Sequence, residues 1–221
     1  MNRAQLEHII RAASLIVDEN GVVIIGSQAI LGNYRDTALP ASLCRSMEAD
    51  VLPLNDDEVA SQADAIDGAI GEFSPFHDLF GIYAQGVSPE TPILAVGWVD
   101  RLVPVVDPAS GKVGWCLDVH DLCASKLLAA RPKDVDFVEA VLTHRLADPV
   151  EIERLVGECD TDTGRAVAAI AVLHRVHVDE PFGGWRGWWK RRRGAVNDRR
   201  VLAPVPTLHD FDPEAARRLR R

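Results

Sequence analysis

Apolar residues at the start of the chain recur with the spacing of an amphipathic helix. The positions at i, i+3, i+4 and i+7 spacing are Leu6, Ile9, Ile10, Ala13, Ile16 and Val17. This pattern predicts a helix over residues 2–20 that ends at Asn20-Gly21, since either residue accepts the left-handed cap conformation. Val22–Ile25 are four β-branched residues, which are typical of a strand buried on both faces. Gly26-Ser27 interrupt that strand, and residues 28–31 predict the first turn of a helix, with Ser27 as its cap.

The rest of the pattern predicts a second strand, a hairpin and a run of helices. Residues 33–45 lack a clear period and are expected to form a loop before a strand at 47–52. The further predicted elements are a polar helix at 56–70, irregular chain with short edge strands at 71–92, strands at 99–106 and 113–117 joined by a turn at 107–111, and helices at 118–130, 132–142, 149–157 and 161–177. This order predicts an α/β (α+β) fold, in which a mixed sheet is flanked by helices and followed by a C-terminal helical extension.

Composition is that of an ordinary globular protein. The 221 residues are 47% hydrophobic and 26% charged, with a formal net charge of −9. No run of about 18 apolar residues occurs, so we expect no membrane span, and the first residues do not resemble a secretory signal. The four cysteines form no C-x-x-C pair, which argues against a zinc site or a disulfide framework and favours the cytoplasm. Cys116 lies in an apolar run and is expected to be a small core residue rather than a nucleophile.

Charge divides the chain into an acidic body and a basic tail. Residues 181–221 contain 11 of the 24 Lys and Arg residues and only 4 of the 33 acids, a net +7, which leaves −16 for residues 1–180. We therefore predict a core at 1–145, a helical extension at 146–180 and a basic, tryptophan-rich tail at 181–221. The tail combines aromatic and basic residues, which suits RNA binding, although an extension that docks on the acidic body is the favoured interpretation.

Two short motifs indicate a site for a nucleoside triphosphate. Glu48 and Asp50 are separated by one residue on a predicted strand, so both side chains point to one face. Such a pair can hold a divalent cation, because Mg²⁺ takes one or two carboxylates and completes its shell with water and phosphate oxygens. The Gly26-Ser27 turn lies between a strand and a helix, where backbone N–H groups are available to a phosphate.

The two sequence segments VVIIGSQAILG and RSMEADVLPL resemble the corresponding segments of the nucleotidyltransferase superfamily, which has the DNA-polymerase-β-like fold. They look especially like a bacterial group that includes abortive-infection toxins of the AbiE type, although Glu48 stands where that group has Asp. The resemblance implies that Gly26 and Ser27 hold the triphosphate. It also implies that Glu48 and Asp50 bind the catalytic metal, Mg²⁺ or Mn²⁺. The resemblance covers roughly residues 15–145 and does not extend to the tail.

A second motif places cations on a predicted helix. Lys126 lies in an otherwise apolar stretch, and a lysine there needs an anionic partner, which a phosphate, Glu48, Asp50 or Asp134 would provide. The segment DLCASKLLAARPKD resembles a segment of the same toxin-like nucleotidyltransferases. That resemblance implies that Lys126 contacts the nucleotide phosphates and that Asp134 is needed for activity. Independently of it, Arg131 and Lys133 are predicted at the junction of two helices, close to a helix N-terminus that favours anions. The alternative is that Lys126 and Asp134 form a structural ion pair between two helices.

The resemblance also implies a third carboxylate on a later strand, and the matching region offers only Asp100 and Asp107, each of which is better explained as a turn or surface residue.

We therefore consider two functions. The first is Mg²⁺-dependent transfer of a nucleoside monophosphate from an NTP to an RNA, such as tRNA, or to a protein acceptor. The resemblance implies for such an enzyme the role of a toxin with an antitoxin partner. The second is a nucleotidyltransferase fold that has lost catalysis and acts as a nucleotide-binding or regulatory protein.

Overall fold

A computed structural model describes residues 1–55, 61–178 and 207–220 of the chain. The described strands are β1 (Gly21–Ile25), β2 (Glu48–Pro53), β3 (Tyr83–Gly86), β4 (Val103–Val106) and β5 (Val113–Cys116). The described helices are α1 (Arg3–Ile16), α2 (Ile30–Asn33), α3 (Ser61–Ile70), α4 (Pro75–Phe80), α5 (Val119–Ala129), α6 (Pro132–Thr143), α7 (Pro149–Gly157), α8 (Thr163–Val178), α9 (Leu208–Phe211) and α10 (Pro213–Arg218). The fold is the predicted α+β arrangement.

The strands form one mixed sheet of five strands in the order β3-β2-β1-β5-β4. β1 at its centre pairs antiparallel with β2 and parallel with β5, while β3 and β4 form the edges. Every residue of β1 is buried, as its unbroken β-branched run predicts. The predicted hairpin is confirmed, because β4 and β5 pair antiparallel across the turn at 107–111.

This topology brings three chain segments to one end of the sheet. β1 and β5 run in parallel, so the turn after Ile25 and the start of α5 after Cys116 lie at the same end. β2 runs in the opposite direction and therefore begins there, with Asp50 paired to Ile25. The Gly-Ser turn, the acidic strand and the helix that carries Lys126 thus meet although they are far apart in sequence.

Helices cover the sheet and extend it. α1 and α3 pack against β1, β2 and β3, and α1 approaches β5 so closely that a side chain on Gly114 would lie 2.3 Å from Cδ1 of Ile10. α5, α6, α7 and α8 pack against one another beyond the end of β5. Among the described helices, none combines the length and hydropathy that crossing a lipid bilayer requires.

Several details differ from the sequence prediction. α1 ends at Ile16, and the positive φ after it is at Asp18 rather than at Asn20 or Gly21. The segment predicted to be irregular contains the helix α4.

Ser27 does not cap the helix that follows β1, because the chain first makes a 3-10 turn over Ser27–Ala29 whose N-cap is Gly26, with no side-chain cap bond. The strand predicted at 99–106 begins only at Val103, since residues 98–101 form another 3-10 turn.

The end of the chain contacts the body of the protein. Residues 181–206 lie outside the described part, so the tryptophan-rich half of the predicted tail is not described. The described segment 207–220 buries Leu208, Ala215 and Ala216, and Phe211 packs edge-on against Trp115 with 5.5 Å between ring centroids. The domain boundaries at 145 and 180 stay predictions, and these contacts supply a direct test of the second boundary.

We expect Leu208→Ala to destabilise the whole protein. Leu208 is 1% exposed, and truncating a buried leucine costs about 2–5 kcal/mol when the site does not collapse. Thermal unfolding should show a clear drop in Tm. Leu15→Ala is the matched control, because Leu15 is 63% exposed on α1 and its truncation should change Tm little. Equal Tm values for the two variants would show that residues 207–220 contribute nothing to the fold.

Candidate functional site

Gly26 and Asp50 are in direct contact at the end of the central strands. A Cβ atom built on Gly26 would lie 1.6 Å from Oδ2 of Asp50, so only glycine leaves room for this carboxylate. The backbone of Gly26 has φ +65° and ψ −171°, a conformation that residues with side chains rarely adopt. The Gly-Ser turn and the acidic strand are therefore in direct contact, and this contact needs glycine at residue 26.

The two carboxylates of β2 form a pair at this contact. Burial first, and then the charge and hydrogen bond of neighbouring Glu48, raise the pKa of Asp50 to about 6, against a partial opposing effect of Lys126 and Lys133. Tyr83 on β3 donates a hydrogen bond of 3.0 Å to Oε2 of Glu48. Burial together with this bond raises the pKa of Tyr83 to about 12, so the phenol stays protonated as a donor. The pair thus holds more negative charge than its immediate neighbours neutralise.

Lys126 and Asp134 form a buried ion pair between α5 and α6. Nζ of Lys126 donates to Oδ1 of Asp134 at 2.8 Å and lies 4.7 Å from the ring centroid of Phe137. Nε of Arg131 donates to the other carboxylate oxygen at 2.5 Å. Burial alone would raise the pKa of Asp134, but the hydrogen bonds from Arg131 and Lys126 outweigh it and lower that pKa. The expectation that Lys126 has a nearby anion is confirmed.

The Gly-Ser turn, the two acids of β2 and the Lys126–Asp134 pair with Arg131 line one cleft with a volume of about 620 Å³. The residues that the sequence singled out and that share this cleft are Gly26, Ser27, Glu48, Asp50, Lys126, Arg131 and Asp134. The acids of β2 lie at one wall, and cations on α5, α6 and α8 lie at the other. The structure confirms that these residues are neighbours, while their catalytic, nucleotide-binding and metal-binding roles stay predictions.

Sequence reasoning missed several residues of the same cleft. Lys133 and Arg165 add two cations, and Gln85 and Ser46 add neutral polar groups. Lys133 was predicted at the helix junction beside Arg131 but not as a residue of the site. Arg165 lies at the start of α8, and only the packing of that helix against α5 and α6 brings it to the cleft.

Asp100 and Asp107 do not supply a third carboxylate, in agreement with their interpretation as turn or surface residues. β4, the strand of the matching region, lies at the far edge of the sheet, whereas the neighbours of β2 are β1 and β3. Asp107 is buried beside the turn at 107–111, where it accepts bonds from Arg11 and Ser110, and Asp100 pairs with Arg220. Neither residue lines the cleft.

β3, the outer neighbour of β2, carries no acid. Tyr83 lies opposite Glu48 and Gln85 lies opposite Asp50. In the described part of the chain, no three potential metal ligands among His, Cys, Asp and Glu come together. The acidic wall of the cleft therefore rests on Glu48 and Asp50.

Comparison with known proteins agrees with this arrangement. A family model described as "Nucleotidyltransferase of unknown function (DUF6036)" matches residues 4–168. The chain belongs to this family. The match runs from α1 through the whole sheet to the first residues of α8, and so includes every element that lines the cleft. No curated protein and no solved structure shows significant similarity to the chain.

The residues present fit one divalent cation better than two. The charge and hydrogen bond of Glu48 raise the pKa of Asp50, and a single Mg²⁺ or Mn²⁺ held by the two carboxylates would offset their repulsion. Two ions about 4 Å apart need more negative charge, and the remaining acid of the cleft, Asp134, is already paired with Lys126 and Arg131.

We expect Asp50→Asn to stabilise the metal-free protein at neutral pH. The pKa of Asp50 is raised in the folded state, so the folded protein binds the proton more tightly and loses stability as pH rises from about 4 to about 6. The asparagine of the variant does not titrate, so the variant does not lose stability through this group as pH rises. Its advantage over wild type should grow between pH 4 and pH 8 by something on the order of 2 kcal/mol.

Urea unfolding in EDTA at several pH values measures this difference. Asp160→Asn is the control, because Asp160 is exposed and outside the cleft, and its effect should not change with pH in the same range. An advantage of Asp50→Asn that is the same at pH 4 and pH 8 would contradict the raised pKa.

Proposed function

We propose that the cleft binds a nucleoside triphosphate with one Mg²⁺ or Mn²⁺ and transfers the nucleoside monophosphate to an acceptor hydroxyl. The observation that carries this proposal is the contact of the Gly26 turn with the Asp50 carboxylate, opposite a wall of cations. A phosphate-binding turn and a metal-binding acid in direct contact are what a nucleotide–metal complex requires. Membership of a nucleotidyltransferase family supports the reaction class.

Each wall of the cleft has a part in this reaction. Backbone N–H groups after Gly26 and the Ser27 hydroxyl would hold the β- and γ-phosphates. The acceptor oxygen would form a bond to the α-phosphorus as the bond to the leaving pyrophosphate breaks, and Glu48 or Asp50 would take the proton of the acceptor hydroxyl. Lys126, with Arg131 beside it, would stabilise the charge that develops on pyrophosphate.

Glu48 and Asp50 are the residues that would hold the cation, which supplies charge neutralisation at the phosphates when it is bound. Tyr83 fixes one oxygen of Glu48 through its hydrogen bond. The finer likeness to AbiE-type toxins supports RNA, with tRNA as one candidate, or a protein as the acceptor, and an antitoxin as a partner.

A second function is favoured by the neutral residues on β3. Because Tyr83 and Gln85 stand beside Glu48 and Asp50, the site has two acids where the superfamily resemblance implies three. A fold with this deficit could bind nucleotide and regulate a partner without turnover. The two functions make different predictions in the presence of nucleotide.

We expect nucleotide binding to depend on the divalent cation. Calorimetric titration with each NTP should give measurable affinity in Mg²⁺ and a loss of at least tenfold in EDTA or in Asp50→Asn. Incubation with labelled NTP, Mg²⁺ and total cell RNA and protein then measures transfer. Label in RNA or protein supports the transferase, and metal-dependent binding without label supports the regulatory protein. Binding that is equal with and without Mg²⁺ contradicts both.

Lys126→Met should weaken nucleotide binding more than it weakens the fold. The variant keeps the aliphatic stem, and Asp134 keeps Arg131 as a partner, so the ion pair is not left without a cation. We expect an NTP affinity at least tenfold lower with a Tm decrease of a few degrees. Lys112→Met is the matched control, since Lys112 lies at the opposite end of β5 and its loss should leave NTP affinity unchanged. A large fall in Tm with unchanged affinity would make Lys126 a structural residue.

A further inference from the structure

A second pocket opens beside the Gly-Ser turn. It has a volume of about 190 Å³ and shares Ser27, Ser46 and Lys133 with the main cleft. Its remaining wall comes from the loop before β2 and from α6. Neither the sequence motifs nor the proposed reaction assigns a role to this pocket.

Its polar wall contains donors without partners. Arg45 and Lys133 are exposed, and neither forms a salt bridge with a described residue. Gln28 is only 1% exposed, yet its amide nitrogen and oxygen have no hydrogen-bond partner within the described ranges. A buried amide without a partner costs about 1–3 kcal/mol, which is a reason to expect a ligand or an ordered water there.

The balance of donors and acceptors indicates the class of ligand. Arg45 offers five N–H groups and Lys133 three, and Gln28 adds two more. The carboxylate of Asp136 and the amide oxygen of Gln28 are the side-chain groups of the wall that only accept, and the hydroxyls of Ser27, Ser42 and Ser46 can either donate or accept. A phosphate group brings acceptors only, and the net charge of the wall from Arg45, Lys133 and Asp136 is positive. A nucleobase would bring further donors to a wall that already has a surplus.

We propose that this pocket is an anion subsite that binds a phosphate group adjoining the triphosphate. The identity of the adjoining triphosphate rests on the proposed function, but the anion chemistry of the pocket does not. Ser27 and Lys133 form the boundary between the two spaces, so a phosphate in the pocket lies next to the distal phosphates of the nucleotide. The phosphate comes either from a longer phosphate chain on the nucleotide or from the acceptor.

Inorganic phosphate in EDTA is the first probe. Its titration against the full chain, followed by the rise in Tm at constant ionic strength, should give a half-saturating concentration about five- to tenfold higher in Arg45→Gln than in wild type. Arg175→Gln removes the same charge from an exposed arginine on α8 outside both spaces and should match wild type. Gln28→Leu fills the same space without an amide and should also weaken binding.

Two outcomes decide the proposal, and Asp50→Asn separates it from the proposed function. Loss in Arg45→Gln, with or without loss in Gln28→Leu, supports the subsite. Equal phosphate affinity in wild type, Arg45→Gln and Gln28→Leu overturns it. Asp50→Asn should keep phosphate binding even if it abolishes metal-dependent nucleotide binding. The phosphate titration therefore tests the subsite even if the proposed nucleotidyltransferase function is wrong.

Two further comparisons identify the source of the phosphate. If the nucleotide supplies it, wild type should bind a nucleoside tetraphosphate more tightly than the triphosphate, and Arg45→Gln should remove the difference. If the acceptor supplies it, the same loss should appear between a 5′-phosphorylated oligoribonucleotide and its unphosphorylated form. Absence of any Arg45-dependent difference in both comparisons would overturn the placement beside the nucleotide.

Discussion

Asp50 lies opposite Ile25 in the antiparallel ladder of β1 and β2, and its carboxylate occupies the space where Gly26 has no side chain. The rest of the site follows from this contact. A side chain at residue 26 would collide with the carboxylate and would also be strained by the positive φ of the turn. The pairing of two central strands therefore fixes the distance between the turn that would hold phosphate and the acid that would hold metal, and no flexible loop intervenes.

Two buried charged residues on α5 each depend on a partner from another segment of the chain. Asp121 and Lys126 are both buried on this helix, and each has a partner of opposite charge on another segment. Asp121 receives two hydrogen bonds from Arg101, at 2.7 and 2.8 Å, and Lys126 donates to Asp134. Removing the only partner of a buried charge leaves it uncompensated, which is far more costly than replacing both groups, whereas Asp134 would keep Arg131 if Lys126 were lost. These pairs fix the position of α5 and so the position of its lysine at the cleft.

Local patterns in the sequence were sufficient for the elements and for the first residues of the site. The β-branched run of β1, the hairpin turn at 107–111 and the spacing of Glu48 and Asp50 each express a short-range rule, and each is found in the fold. Lys126 was identifiable because a lysine among leucines requires an anion. The sequence could not show which one, since Asp134 reaches it only through the angle between α5 and α6.

Long-range topology was the part that the sequence did not reveal. The outer neighbour of β2 is β3, which is one of the short edge strands predicted within residues 71–92, and not the regular strand β4. The acid expected on the neighbouring strand was therefore sought in the wrong segment. Docking of the tail on the acidic body was the favoured interpretation, but the residues that dock were hidden, because Leu208 and two alanines give no recognisable period.

Neutral residues on β3 limit the charge that the acidic wall can balance. Two carboxylates neutralise one divalent cation, and Tyr83 and Gln85 beside them add no further negative charge. Any additional cation at this wall must then be balanced by the phosphates of the substrate. The opposite wall acts in the same balance, because Lys126 is already held by Asp134 whereas Lys133 has no ion-pair partner in the described chain. Metal and nucleotide are thus expected to depend on each other for binding. The two acids alone carry too little negative charge to bind a second cation before the nucleotide phosphates are bound.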